Sequence, residues 1–218
     1  MSEHWQEPDD GIWEVRNGRR RFTYSRLMCW VALDRAIRIA VRRSLPANLN
    51  RWARERDVIY AWIMERGWND HRQAFVQCEG TNVLDASLLL MPLVHFIAPT
   101  DPRWLSTLDA IGRELVADSL VYRYDPVLAP DGLDCGEGTF SMCTFWYVEC
   151  LARAGRLEDA QLIFEKMLTY SNHLGLYSEE IGESGELLGN FPQAFTHLAM
   201  ISAAVNLDQQ LSRGLDPR

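Results

Sequence analysis

The chain has 218 residues, enough for one large domain or two small ones, and 47% of them are hydrophobic, enough for a well-buried core. Its formal net charge of -8 argues against nucleic acid or an anionic membrane as partner, because such surfaces are bound through an excess of Lys and Arg. Five cysteines, odd in number and without CxxC spacing, read as reduced thiols of a cytoplasmic protein with no zinc site.

In chain order, the first segment, MSEHWQEPDDGIW, is acidic and polar, unlike a secretory signal or a transit peptide. The stretch GIWEVRNGRRRF then sets one carboxylate, Glu14, beside an indole, Trp13, and follows it with Arg16, Arg19, Arg20 and Arg21. The arginine run reads as solvent-facing charge ahead of a helix. From Thr23 the apolar residues Leu27, Trp30, Val31, Leu33, Ala36, Ile37, Ala40 and Val41 recur at helical spacing, with Thr23 or Ser25 as the cap. Pro46 ends this helix, and LNRWARERDVIYAWIMERG gives a second that closes at Gly67, the short connection making the two an antiparallel hairpin.

The arrangement recurs. ASLLLMPLVHFI and PRWLSTLDAIGRELVADSL read as two helices joined by APTD, GTFSMCTFWYVECLARAG and LEDAQLIFEKMLTYSN as two more joined around Gly155, and a last helix starts near Phe191. Asp85 and Asn190 read as helix N-caps. The longest apolar run, VLDASLLLMPLVHFIA, holds Asp85 and Pro92 and is shorter than the roughly 20 residues of a membrane span, so it reads as a buried helix of a soluble protein. Helical hairpins in series form a solenoid or a closed α/α toroid, because one hairpin cannot bury its apolar face alone. Four long segments, about residues 1–22, 67–85, 119–138 and 174–190, alternate with tight turns, which predicts that Glu14, Arg123, Glu137 and Glu179 gather on one rim.

Three of these loops are rich in carboxylates, glycines and aromatics, a mixture that suits a sugar: its C–H faces stack on indole or phenol while its hydroxyls bond to acids and arginines. No Gly-Lys-Ser/Thr phosphate loop, HExxH or EF-hand pattern is present, so no metal or other cofactor is expected. Cleaving a glycosidic bond takes one protonated carboxyl to assist the leaving oxygen and one ionised carboxylate to activate water or attack the sugar. Glu14 beside Trp13 is a candidate for the first and Glu179, with Glu180 next to it, for the second. Trp30, Trp62, Phe140, Phe145 and Trp146 fall at helical spacing and read as core; Trp13, Trp68 and Tyr177 lie in rim loops. His197 reads as a structural hydrogen-bonding group, and His71 as a rim residue without an identified partner.

The blocks GIWEVR…FTYSRLMCWVALDRAI, RYD…DGLDCGEGTFSMCTFWYVECLARAGR and YSEEIGESGELLGNFPQAFTHLAMI resemble, in family order, successive blocks of bacterial glycoside hydrolase family 15, which contains glucoamylases, glucodextranases and some trehalases. The resemblance implies an all-α fold, an (α/α)6 barrel, and hydrolysis of an α-glucosidic bond with inversion. It places the general acid, after the Trp of the family's WE motif, at Glu14, and the base, first of an acidic pair, at Glu179, with Glu180 the less favoured register. It implies that Arg123 contacts the sugar and that Trp13, Glu137 and Glu180 help bind an α-glucoside oligosaccharide or trehalose. Inverting enzymes hold their carboxyl groups about 6.5–9.5 Å apart, leaving room for a water.

Family members are longer, with an N-terminal β-sandwich and early barrel helices. The reading is therefore of residues 1–218 as a single domain, the C-terminal portion of an α/α barrel, with about seven helices and half of the ring. An open half-ring exposes apolar helix faces, which leaves three alternatives: a homodimer, association with a separate N-terminal half, or a poorly active fragment. Two other classes stand beside the hydrolase. A helical-hairpin scaffold binding protein or carbohydrate requires regular repeats, and these hairpins are unequal; an epimerase-like barrel works through several central histidines, and only His71 lies in a central rim loop.

Overall fold

A computed structural model describes residues 3–16, 18–130 and 137–214. Helix α1, Thr23–Arg42, buries Leu27, Trp30, Leu33 and Ala40 on one side. Neither Thr23 nor Ser25 caps it. Phe22 occupies the cap position in extended conformation, while the Thr23 hydroxyl donates to the Val76 carbonyl at 2.6 Å and the Ser25 hydroxyl to Asp9 at 2.5 Å. Both side chains tie the helix start to neighbouring segments instead. Helix α2, Leu49–Arg66, is capped by Asn48, which accepts from the Arg51 amide, and it packs back on α1. At its end a Cβ on Gly67 would lie 2.7 Å from the Ile63 carbonyl oxygen, so only glycine closes this turn without a shift.

Two expected helices are shorter than the pattern suggests. ASLLLMPLVHFI folds as a 3-10 turn, Ala86–Leu89, running into a single α-helical turn, α3, Leu90–Leu93. Pro92 has no amide hydrogen to give the carbonyl four residues back and its ring crowds that carbonyl, which favours the tighter helix ahead of it; His95, at φ 63, then reverses the chain. Helix α4, Pro102–Glu114, is capped by Asp101 with proline in its first turn, but LVADSL leaves the helix. Val116–Ala117 (β1) and Leu120–Val121 (β2) pair as a hairpin whose turn residues, Asp118 and Ser119, both take positive φ.

Helix α5, Ser141–Arg153, is buried almost all round and forms the centre of the core. The Phe145 ring meets Phe164 of α6, Leu157–Leu168, at 6.0 Å and Tyr177 at 5.6 Å, both edge to face. Helix α7 runs from Ala194 to Gly214, starting three residues beyond Phe191, and packs along α5. Short strands stitch the loops: Thr139–Phe140 (β3), Glu180–Ile181 (β4) and Leu187–Leu188 (β5) form an antiparallel sheet with Thr139 opposite Ile181 and Phe140 opposite Glu180. A further hairpin pairs Trp68 with Phe75. Short connections, 43–48, 94–101 and 154–156, alternate with long ones, 67–85, 115–140 and 169–193.

No helix among the described residues is long and apolar enough to cross a membrane. Cys29, Cys78, Cys143 and Cys150 are free, while Cys135 lies outside the described residues.

Phe145 is fully buried, so Phe145→Ala is expected to lower the unfolding free energy by about 3–5 kcal/mol through lost contacts and a residual cavity, read as a shift in the urea midpoint at unchanged slope.

Candidate functional site

The loop before α1 is fixed from both ends. Asp9 pairs with the buried Arg26 of α1 at 2.6 Å, accepts from the Gly11 amide at 2.8 Å, and exchanges two backbone hydrogen bonds of 2.9 Å with Arg20. Gly11 takes φ +70, and a Cβ there would sit 3.1 Å from the Phe22 ring. The turn closes when the Val15 amide donates to the Asp10 carbonyl at 3.1 Å. At its tip Glu14 has φ 52, uncommon for a residue with a side chain, and is exposed. Arg19, Arg20 and Arg21 are exposed as well, Arg19 facing Asp10 and Arg21 facing Glu79.

Trp13 is held from a different segment. Its indole Nε1 donates to Asp85, 3.1 Å from either carboxylate oxygen. Asp85 is 1% exposed and also accepts from Gln77 Nε2 at 2.9 Å and the Ser87 amide at 2.7 Å. The bond to Ser87 is the N-cap expected from sequence; the hold on Trp13 is a second duty of the same carboxylate that the sequence did not reveal. Burial pushes the Asp85 carboxyl pKa up, against the pull of the donors from Ser87, Gln77 and Trp13. Its backbone bridges to Tyr124, and the Ala86 amide donates to the Arg123 carbonyl at 2.7 Å.

That bond presents Arg123. Its Nε lies 3.0 Å from Glu137 and its Nη2 bonds the other Glu137 oxygen, a two-pronged charged pair. The guanidinium stacks 4.4 Å from the Phe140 ring centre, 5.1 Å from Trp13 and 5.3 Å from Tyr124. Held on three sides by rings and on its edge by Glu137, it has one orientation.

Glu179 and Glu180 take opposite sides of the chain, as successive residues at a strand do. Glu179 accepts from the amide and the side-chain Nδ2 of Asn190, both at 2.9 Å. A Cβ on Gly189, at φ +70, would come within 2.7 Å of the same carboxylate oxygen. Asn190 is thus no N-cap, since α7 begins at Ala194; it braces Glu179. Glu180 turns the other way and accepts from the Gly138 amide at 3.0 Å. Burial raises its pKa, the Gly138 amide and the Arg123 charge lower it, and the Glu179 charge raises it.

Glu14, Trp13, Arg123 and Glu179 all line one cavity of about 520 Å³, within the size range of small-molecule sites. Glu137 and Glu180 stand behind it, bonded to Arg123 and Gly138. The rest of the wall is largely apolar: Tyr24, Phe140, Trp146 and Phe195. Phe140 and Trp146, assigned to the core by their spacing, therefore face the cavity, because β3 and the first turns of α5 point into it. Tyr177, expected on the rim, is buried against Phe145 and His197, and Trp68 packs on Phe75 beneath Arg103. His197 is structural as expected: its Nδ1 faces the Gln193 carbonyl at 2.7 Å and its Nε2 lies 3.3 Å from the Tyr177 amide, which donates to it. His71 is exposed and is not part of the cavity wall. Among the described residues no cluster of three or more His, Cys, Asp or Glu side chains is arranged to hold a metal ion.

The arrangement brings two carboxyl groups and a fixed guanidinium from three distant segments onto one aromatic-walled space. The sequence profile of glycosyl hydrolases family 15 matches residues 1–205. A trehalase of Mycobacterium tuberculosis is 48% identical over 205 residues, which are 94% of this chain and 30% of the relative; the chain thus spans about a third of the length of the curated relatives it matches. Among solved structures, a glycosidase variant in complex with glucose superposes with a TM-score of 0.80 at 19% identity, covering 95% of this chain and 57% of that one. A bacterial glucoamylase complexed with acarbose gives 0.74 at 17% identity, covering 90% and 34%. The fold is accordingly an α/α toroid of helical hairpins, about half of an (α/α)6 ring.

Asp85→Asn keeps the shape but leaves one acceptor oxygen for three donors, and is expected to cost about 1–3 kcal/mol of stability. Because the folded protein binds the Asp85 proton more tightly than the unfolded chain does, wild-type stability falls as pH rises from the ordinary carboxyl range through the raised pKa. The gap between wild type and Asp85→Asn should narrow over that interval in urea titrations at successive pH values.

Proposed function

The chain belongs to glycosyl hydrolases family 15, and from that premise we propose that it carries both catalytic carboxyl groups of an inverting α-glucosidase, with Glu14 as general acid and Glu179 as general base. Trehalose is the substrate that the 48% identity to a mycobacterial trehalase favours, ahead of α-glucoside oligosaccharides. The observation that carries this reading is the convergence of Glu14, Arg123 and Glu179 on one cavity.

In this mechanism the terminal glucose lies across the cavity with its apolar face toward Trp13 and its hydroxyls toward Arg123. Glu14, on a strained and exposed turn, gives its proton to the glycosidic oxygen, so the leaving sugar departs as a neutral alcohol. Glu179 takes a proton from a water on the opposite face of the ring as that water attacks the anomeric carbon. The two donors from Asn190 both bond one Glu179 oxygen, which leaves the other free to orient the water. Glu137 serves substrate binding through its grip on Arg123, and Glu180 through its hold on the backbone at Gly138. Inversion on trehalose releases one β-glucose from the attacked ring and one α-glucose as the leaving group.

Incubation of the purified chain with trehalose, maltose and isomaltooligosaccharides, with anomers followed by NMR at early times, is expected to give β-glucose from trehalose. Glu14→Gln and Glu179→Gln should each lower kcat by about a hundredfold or more. Arg123→Lys, which loses the fork to Glu137 and the planar stack, should act mainly by raising KM. Equal turnover by wild type and either glutamine variant would defeat the assignment.

A further inference from the structure

The cavity has two ends, and they belong to different parts of the fold. In the core α1 rests on the 3-10 turn, that turn on α5, and α5 on α7, so α1 and α7 stand at opposite ends of this series. Glu179, Gln193 and Phe195 line the cavity from the α7 end, whereas Ile12, Glu14 and Tyr24 line it from the α1 end. Asp9 makes the second group a unit. One of its carboxylate oxygens accepts from the Gly11 amide at 2.8 Å and from the Ser25 hydroxyl at 2.5 Å, joining the turn that carries Glu14 to the turn of α1 that carries Tyr24.

Tyr24 is the second residue of α1. Thr23 before it is tied to Val76 and Ser25 after it to Asp9, so its backbone is held on both sides. Its phenol is half-buried, and among the described residues the hydroxyl has no hydrogen-bond partner. Other polar side chains of the wall are already engaged: Trp13 with Asp85, Arg123 with Glu137, Thr196 with the Ser178 carbonyl, and one oxygen of Glu179 with Asn190. Burial pushes the Tyr24 pKa up, so the hydroxyl keeps its proton at neutral pH and can both donate and accept. A half-buried tyrosine ordinarily finds a partner for its hydroxyl; here the cavity is where one would come from.

In an inverting hydrolysis the acid stands on the side of the departing oxygen and the base on the opposite face of the attacked ring. With Glu14 as acid, the departing sugar lies toward the α1 end, where Ile12 offers an apolar surface and Tyr24 an uncommitted hydroxyl. This placement rests on the roles assigned above to Glu14 and Glu179. We propose that Tyr24 is a specificity-determining residue: with Ile12 it seats the departing sugar, and its hydroxyl bonds to a hydroxyl of that sugar, favouring disaccharides over α-glucosides whose departing group carries none.

The test compares substrates with and without a departing sugar. Glucose release from trehalose and from α-glucosyl fluoride is measured for wild type and Tyr24→Phe. The phenyl ring keeps the shape and removes no internal hydrogen bond, so the urea midpoint should stay at its wild-type value. The ratio of kcat/KM for trehalose to that for α-glucosyl fluoride is expected to fall about three- to tenfold, the size of one uncharged hydrogen bond. A parallel comparison reads binding alone, by calorimetry in the Glu179→Gln chain: adding Tyr24→Phe should weaken trehalose by the same factor relative to methyl α-glucoside. An unchanged ratio in both comparisons, equal losses on both members of each pair, or no binding of trehalose would overturn the proposal. The expected binding ratio in a chain that releases no glucose from any substrate would leave the second-sugar seat standing and remove the assigned reaction. Hydrolysis that Glu14→Gln and Glu179→Gln abolish, with both ratios unmoved by Tyr24→Phe, would do the reverse.

Discussion

One buried carboxylate joins the stretches of chain on which the cavity depends. Asp85 receives the indole of Trp13 from the first loop, the amide of Gln77 from the second, and the backbone of Ser87 at the start of the 3-10 turn, and its neighbour Ala86 donates to the Arg123 carbonyl. A carboxylate suits this place because it accepts from several directions, whereas an amide or hydroxyl would turn a hydrogen toward at least one donor. Its burial is unfavourable taken alone, and the donors that offset it are the contacts that fix the loops. Rigidity at Trp13 and Arg123 thus derives from the need to satisfy a group that has no access to water.

Around that point the molecule separates support from presentation. Helix α5 is buried on nearly every side and serves as the floor on which α6, α7 and the 3-10 turn rest. Loops above it meet in short strands, none among the described residues longer than two, which pin backbone without filling the cavity. Three of the residues that line the cavity are backed by ones that do not: Trp13 by Asp85, Arg123 by Glu137, Glu179 by Asn190. Bracing of this kind limits the positional freedom of reacting groups, which is where most of the advantage of a preformed site lies.

Much of this was legible in the amino-acid order and some was not, for physical reasons. Helical periodicity located α1, α2, α5 and α6. It failed over ASLLLMPLVHFI, where Pro92 limits the helix to a turn, and over LVADSL, where the left-handed backbone at Asp118 and Ser119 makes a hairpin of residues that would also suit a helix end. Gathering of Glu14, Arg123 and Glu179 followed from the alternation of long and short connections. The bracing partners were hidden because they act through tertiary contacts: Asp85 and Asn190 both look like caps, and only Asp85 is one. Phe140, at the cap position of α5, and Trp146, within it, sit at helical spacing, and α5 is buried on nearly every side while this edge faces the cavity, so spacing could not distinguish lining from core.

The placement of Glu179 and Glu180 on opposite sides of one backbone has a bearing on how this segment can change over time. Which glutamate looks into the cavity is decided by strand register, fixed by Thr139 opposite Ile181 and by the tight passages at Gly138 and Gly189. Loss or gain of a single residue between these anchors would exchange the two acids while leaving the composition and charge of the loop nearly unaltered. Length here is therefore constrained as well as identity: substitution away from Gly138 and Gly189 leaves the register intact, whereas an insertion or deletion of one residue turns a different carboxylate toward the cavity.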